Sequence, residues 1–239
     1  MFFCGTVNGE AYNADVVTTF VSPDSSYSQL ASFIDGASSS LYVNVYTFDS
    51  PFIADKIVKA HDRGVDVVVL VDGSPVGGIS KREWTVLNNL SGSGVPVYLW
   101  SHLGSGFNHA KYIVADNLTL LVSTENFGAS GFPKDGTSGN RGWGAIVSGP
   151  SAAYFAELFF DDVERGEEVS FTGESPLVSY HEVGEYRPRF GSEVFYGNFT
   201  VVPVIAPENA VDATLDLIDS ANSSLYVEEF YVYRYWGSK

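Results

Sequence analysis

The chain has 239 residues, 45% of them hydrophobic and 18% charged, which is enough apolar matter for a folded core and excludes disorder as the default. Its 29 acidic and 13 basic residues give a net charge of −16, and the scattered basic residues form no stripe able to neutralise the about six to ten phosphates of a tight duplex complex. A single cysteine, Cys4, excludes an internal disulfide and a cysteine-built metal site, and no apolar run approaches the length of a membrane span.

In chain order, residues 16–21 read as a strand, and Leu30, Phe33, Ile34 and Ala37 make the apolar stripe of a helix. Residues 41–48 form the next strand. Ser50 and Pro51 open a helix as N-cap and first-turn proline, and Gly64 closes it. Residues 65–71 read as a buried strand ending in Asp72-Gly73, and Ser80 with Glu83 has the spacing of a capping box. A strand over 95–100 leads to two apolar runs, KYIVA and LTLLVS, joined at Asp116-Asn117 as a hairpin. A strand over 143–148 and a helix over 152–164, with Tyr154, Phe155, Leu158 and Phe159 turned inward, complete an α/β arrangement with a mixed sheet flanked by helices.

An ungapped internal repeat follows. PDSSYSQLASFIDGASSSLYV begins at Pro23 and PENAVDATLDLIDSANSSLYV at Pro207. Repeats of this length point to a duplicated domain rather than a solenoid. The expected divisions are residues 1–165 as a first half, 166–200 as a linker with hairpin-like pieces, and 201–239 as the start of a second half. Leu225, Val227, Phe230 and Trp236 belong to that second copy and are expected to be sticky where its sheet is missing.

The chemistry concentrates in FNHAKYIVADNLTLLVSTENFG. His109 and Lys111 lie two apart and so share a strand face. If Ala115 pairs with Leu118 across the turn, His109 faces Thr124, and Asn126 lies diagonal to His109 and Lys111. An imidazole, an ammonium, an amide and a hydroxyl then meet on one face, the set needed to attack a phosphodiester and hold its oxygens. His61, His102 and His181 read as structural. Asp72 ends a strand where α/β sites often lie, but Asp-Gly turn chemistry explains it and is preferred. Phe107, Phe127, Phe132 and Trp143 read as packing, with an apolar rim for acyl chains or bases as the alternative.

The stretch resembles the H-x-K-x4-D-x6-G-S-x-N motif of the phospholipase D superfamily, of archaeal type by its Thr-Glu-Asn-Phe and Asn140-Arg141-Gly142-Trp143-Gly144 segments. The resemblance implies a catalytic role for His109, phosphate binding by Lys111 and Asn126, and support from Asp116, with Thr124 in place of the family's serine and Ser123 in place of its glycine. It also implies metal-free, cofactor-free chemistry through a phosphohistidine, with a second motif supplied by a second half or a homodimer partner. A matching histidine would fall beyond Lys239, so this chain reads as a truncated fragment, inactive as a monomer. Gly142 stands where a glutamate is often found, and Glu125 or Asp135 are the substitutes within reach. The substrate is expected to be a phospholipid headgroup, with a nucleic-acid phosphodiester or a non-catalytic binding role as alternatives. The chain reads as soluble and its compartment stays open, the cell surface or exterior among the options.

Overall fold

The computed structural model describes residues 10–101, 106–170 and 184–229. Cys4, His102, His181, Phe230 and Trp236 lie outside them. Contacts divide the chain into a main unit, Tyr12–Thr200, and a smaller one in which α5 (Ala210–Asp219) is the described helix.

The main unit is built on a nine-stranded mixed sheet in the order β8-β4-β3-β2-β5-β6-β7-β1-β9. In sequence these are β1 (Tyr12–Ser22), β2 (Ser40–Val45), β3 (Asp66–Asp72), β4 (Val97–Trp100), β5 (Lys111–Ala115), β6 (Thr119–Ser123), β7 (Gly142–Ser148), β8 (Gly166–Glu168) and β9 (Glu193–Val201). The central β2, β3 and β4 run parallel, connected by helices, and β5, β6, β7 and β1 continue the sheet antiparallel. Residues 166–168 and 193–201, in the segment expected as a linker, thus form both edges of the sheet.

Three helices, α1 (Ser26–Gly36), α2 (Pro51–Asp62) and α3 (Lys81–Gly92), cover one face. Leu30 and Ile34 of α1, Ile53 and Ile57 of α2 and Leu87 and Leu90 of α3 are fully buried against Leu41, Val43, Val69, Val71, Ile113 and Leu121. Each such side chain stabilises the fold by roughly 1.5–3 kcal/mol through the apolar surface it removes from water. The other face is covered by α4 (Ser151–Val163). There Phe159 stacks on Tyr42 and Phe155 meets the Tyr112 ring edge-on, as the inward stripe of α4 implied.

The helix ends obey their sequence signals. Ser50 Oγ accepts from Ile53 N, Pro51 occupies the first turn, and Gly64 ends α2 at φ +90°. The second strand, expected over 41–48, instead ends at Val45. Beyond Val45 the backbone is held elsewhere: Phe48 bridges to Phe127, and the buried Glu83 carboxyl, beyond its capping role beside Ser80 Oγ, accepts from Phe48 N at 2.8 Å.

Candidate active site

The carboxyl ends of β2, β3, β4 and β6 and the beginnings of β5 and β7 share one edge of the sheet, and the motif residues gather there. In open α/β sheets that edge is the natural place for a site, because loops converge on it while the strands stay fixed. His109 precedes β5, Lys111 is its first residue, and Asn126 follows β6.

The hairpin register differs by one residue from the expected pairing. Ala115 pairs with Thr119, not Leu118, and Tyr112 with Val122. Asp116 and Asn117 both adopt left-handed backbone (φ 57° and 54°), Leu118 N still donates to Ala115 O, and Leu118 is left outside the ladder. Two constraints account for this. The core needs Ile113 and Leu121 on one face, and Asp116 is committed elsewhere, its carboxylate accepting from the Ser38, Ser39 and Ser40 amides and the Ser38 and Ser39 hydroxyls. One step further along this register, Lys111 stands across from Ser123, and His109 does not face Thr124. Thr124 is exposed and tied to β7: its hydroxyl accepts from Trp143 N at 3.0 Å.

The other polar groups do come together. Lys111 Nζ donates to the His109 carbonyl at 2.8 Å and lies 5.4 Å from the centre of the Tyr46 ring, while the His109 ring meets Tyr46 edge-on at 4.6 Å. Burial pushes the Lys111 amine down to about 8, with the Glu125 charge pulling the other way. Among the described residues Lys111 forms no ion pair. Burial, then the Lys111 charge, holds His109 below the usual histidine range, and Asp72 opposes both. Burial likewise raises Glu125, against a hydrogen bond from Asn140 and the charge of Lys111. Asn126 Oδ1 is buried with no hydrogen-bond partner among the described residues.

Glu125 and Gly142 fit each other. A β-carbon at position 142 would run into the Glu125 side chain, and one at Gly131 would meet Asn126 O and Glu125 Cβ. Of the aromatic residues noted in the sequence, Phe127 and Phe132 are core, while Phe107 and Trp143 are about half exposed, Phe107 against Tyr46. Asp72 is fully buried. Its Oδ1 accepts from Ser74 N, the turn the sequence implied, and its Oδ2 from Asn108 N, both at 2.8 Å. No group of three His, Cys, Asp or Glu residues is placed to hold a metal ion among the described residues.

The profile of the family described as "Cardiolipin synthase, PLD-like domain" matches residues 30–162, over half of the chain. The chain belongs to the phospholipase D-like family. It is 27% identical over 121 residues to a phospholipase D of Rickettsia felis, covering 51% of this chain and 58% of that protein. It is 30% identical over 109 residues to the mitochondrial cardiolipin hydrolase of Xenopus laevis, covering 46% and 49%. The chain therefore matches about half the length of these relatives. Among solved structures, a phospholipase D family member, Nuc from Salmonella typhimurium, is similar over 65% of this chain and 98% of its own, at 27% identity and a TM-score of 0.59. NucT from Helicobacter pylori, at 18% identity and a TM-score of 0.52, shares the fold. No helix among the described residues is long and apolar enough to cross a membrane.

Within the family pattern, the departure at Gly142 has a local counterpart. The space that a side chain at position 142 would need is taken by Glu125, whose charge acts on Lys111.

Proposed function

We propose that this site cleaves or transfers phosphodiesters by way of a phosphohistidine, with a phospholipid headgroup as substrate. The observation that carries the reading is Lys111: a half-buried amine beside His109, with no ion-pair partner among the described residues, suits an anionic phosphate that arrives as its counter-charge. Lys111 and Asn126 hold the non-bridging oxygens, and Glu125 steadies the Lys111 ammonium. Asp116 supports the hairpin from outside the chemistry.

In the reaction one imidazole attacks phosphorus and the P–O bond to the alcohol breaks, while a second imidazole gives its proton to the departing oxygen. Water, or a second alcohol, then attacks the phosphohistidine and returns the imidazole, its own proton passing to the histidine that had acted as acid. His109 is one of the pair. Among the described residues His61 sits at the end of α2 beside Gly94, so it does not serve as the other. A second motif, from a duplicated half or a homodimer partner, completes the site, and the chain alone as a monomer is inactive.

A lipid substrate is favoured by the net charge of −16 without a basic stripe, and by the exposed Phe107 beside the His109–Tyr46 pair. The test is a panel of anionic and zwitterionic lipid vesicles against single-stranded DNA and RNA at fixed ionic strength, with and without chelator. Release of a lipid headgroup, lost in His109→Ala with the circular dichroism unchanged, is expected. Cleavage confined to nucleic acid would replace the substrate, and an active monodisperse monomer would remove the need for a second motif.

A further inference from the structure

A buried carboxylate next to the site has more attachments than its turn requires. Asp72 ends β3 and is fully buried. Its Oδ1 accepts from Ser74 N, which a neutral asparagine or serine does equally well in such a turn. Keeping a full charge out of water for that alone is costly, so the charge has to be matched by something more.

The second oxygen shows where it goes. Oδ2 accepts from the backbone N–H of Asn108, the residue before His109, at 2.8 Å. The Asn108 side chain donates to Asn44 Oδ1 at 2.7 Å, and Asn44 donates onward to Tyr112 and Asp162. On the other side of the histidine, Tyr46 N donates to Ala110 O at 2.9 Å. The His109 side chain is partly open to solvent, yet the residues on either side of it, Asn108 and Ala110, are pinned to β3 and to the end of β2.

We propose that Asp72 is a positioning residue for His109, fixing the backbone on its amino side and supplying the negative charge that balances Lys111 around the imidazole. The assignment rests on His109 being a reacting histidine. The charged and titratable groups at that ring are Lys111 on β5, Asp72 at the end of β3 and Tyr46 after β2, with Glu125 acting on Lys111 and with Glu83 of α3 and the Asp49–Arg82 pair behind Asp72. Asp72 opposes the Lys111 charge at His109, so removing it leaves the imidazolium less favoured.

Asp72→Asn in the full chain tests this, with the His109 ring followed by NMR in a histidine-labelled sample. His109 is expected to titrate at lower pH than in the wild type, and kcat of a site completed by a second motif to fall about ten-fold with KM little changed. Asp72→Ala, which removes both acceptors, should fall further. An unchanged His109 titration in folded Asp72→Asn would overturn the proposal. Amide exchange in the wild type gives a second reading that needs no variant. The Asn108 N–H should exchange slowly, and exchange at the rate of a fully unprotected peptide amide would also overturn it. Both NMR readings are independent of turnover, so they test Asp72 even where the chain alone is inactive, and only inactivity of a site completed by a second motif counts against the phosphodiesterase reading.

Discussion

At Lys111 two demands oppose each other, since the amine must be dry enough to bind phosphate strongly and yet stay protonated. Burial sets its pKa at about 8, and the ammonium form is the one that holds an anion. The kcat/KM of a completed site should therefore fall as pH rises through about 8. Lys111→Arg, which does not deprotonate, should abolish that alkaline limb while lowering the rate at pH 7; a limb that persists belongs to another group. Glu125→Gln removes the charge that raises Lys111, so it should move the same limb to lower pH. Lys111→Ala should cost about 10²–10³ in turnover, the scale of losing one preorganised donor to a developing oxyanion. His109 and Lys111 were legible in the sequence because an H-x-K pair fixes a shared strand face without tertiary help. Asp72 and Glu83 were not, since local turn and cap chemistry accounts for each. Their second bonds, to Asn108 and Phe48, span 36 and 35 residues.

Among the elements, the β5–β6 hairpin shows how a side chain distant in sequence sets a register. Asp-Asn between two apolar runs predicts a two-residue turn, and the left-handed backbone at both positions bears that out locally. The pairing nevertheless starts one residue later, because Asp116 clamps the Ser38–Ser40 segment 76–78 residues away. Burial alone would raise its carboxyl, but the Ser40 and Ser39 amides and the serine hydroxyls outweigh it and hold the group below the usual carboxylate range. Asp116→Ala should lower stability by roughly 2 kcal/mol, allowing for water at the turn, and Asp116→Asn by less because asparagine tolerates the same backbone. A urea midpoint unchanged in Asp116→Ala would refute this. The order of strands and helices, by contrast, followed from periodicity and caps. The edge strands β8 and β9 did not, because Gly, Glu and Pro there obscure an alternating pattern.

For the main unit, a long-range tie lies at Asp24, just before α1. Its buried carboxylate accepts from Arg141 Nη1 at 2.6 Å, from Tyr186 Oη and from the backbone N–H groups of Arg189 and Phe190. Burial would raise its pKa, but these donors outweigh it and lower the group from 3.8 to about 2. A depressed carboxyl contributes stability that is present above its unfolded pKa and is lost as pH falls through the folded one. The melting temperature should thus drop between about pH 4 and pH 2, and Asp24→Asn should melt lower at pH 7 with a flatter profile in that window; an equal slope in the variant would remove Asp24 from the account. The strand beside this tie has a further consequence. β1 lies between β7 and β9, both made long after it. On the ribosome, β1 waits for about 120 residues before β7 is synthesised, on the order of 6–24 s at 5–20 residues per second. Throughout that interval an eleven-residue strand has neither of its neighbours, so stalled chains should stay protease-sensitive until Ser148 clears the exit tunnel.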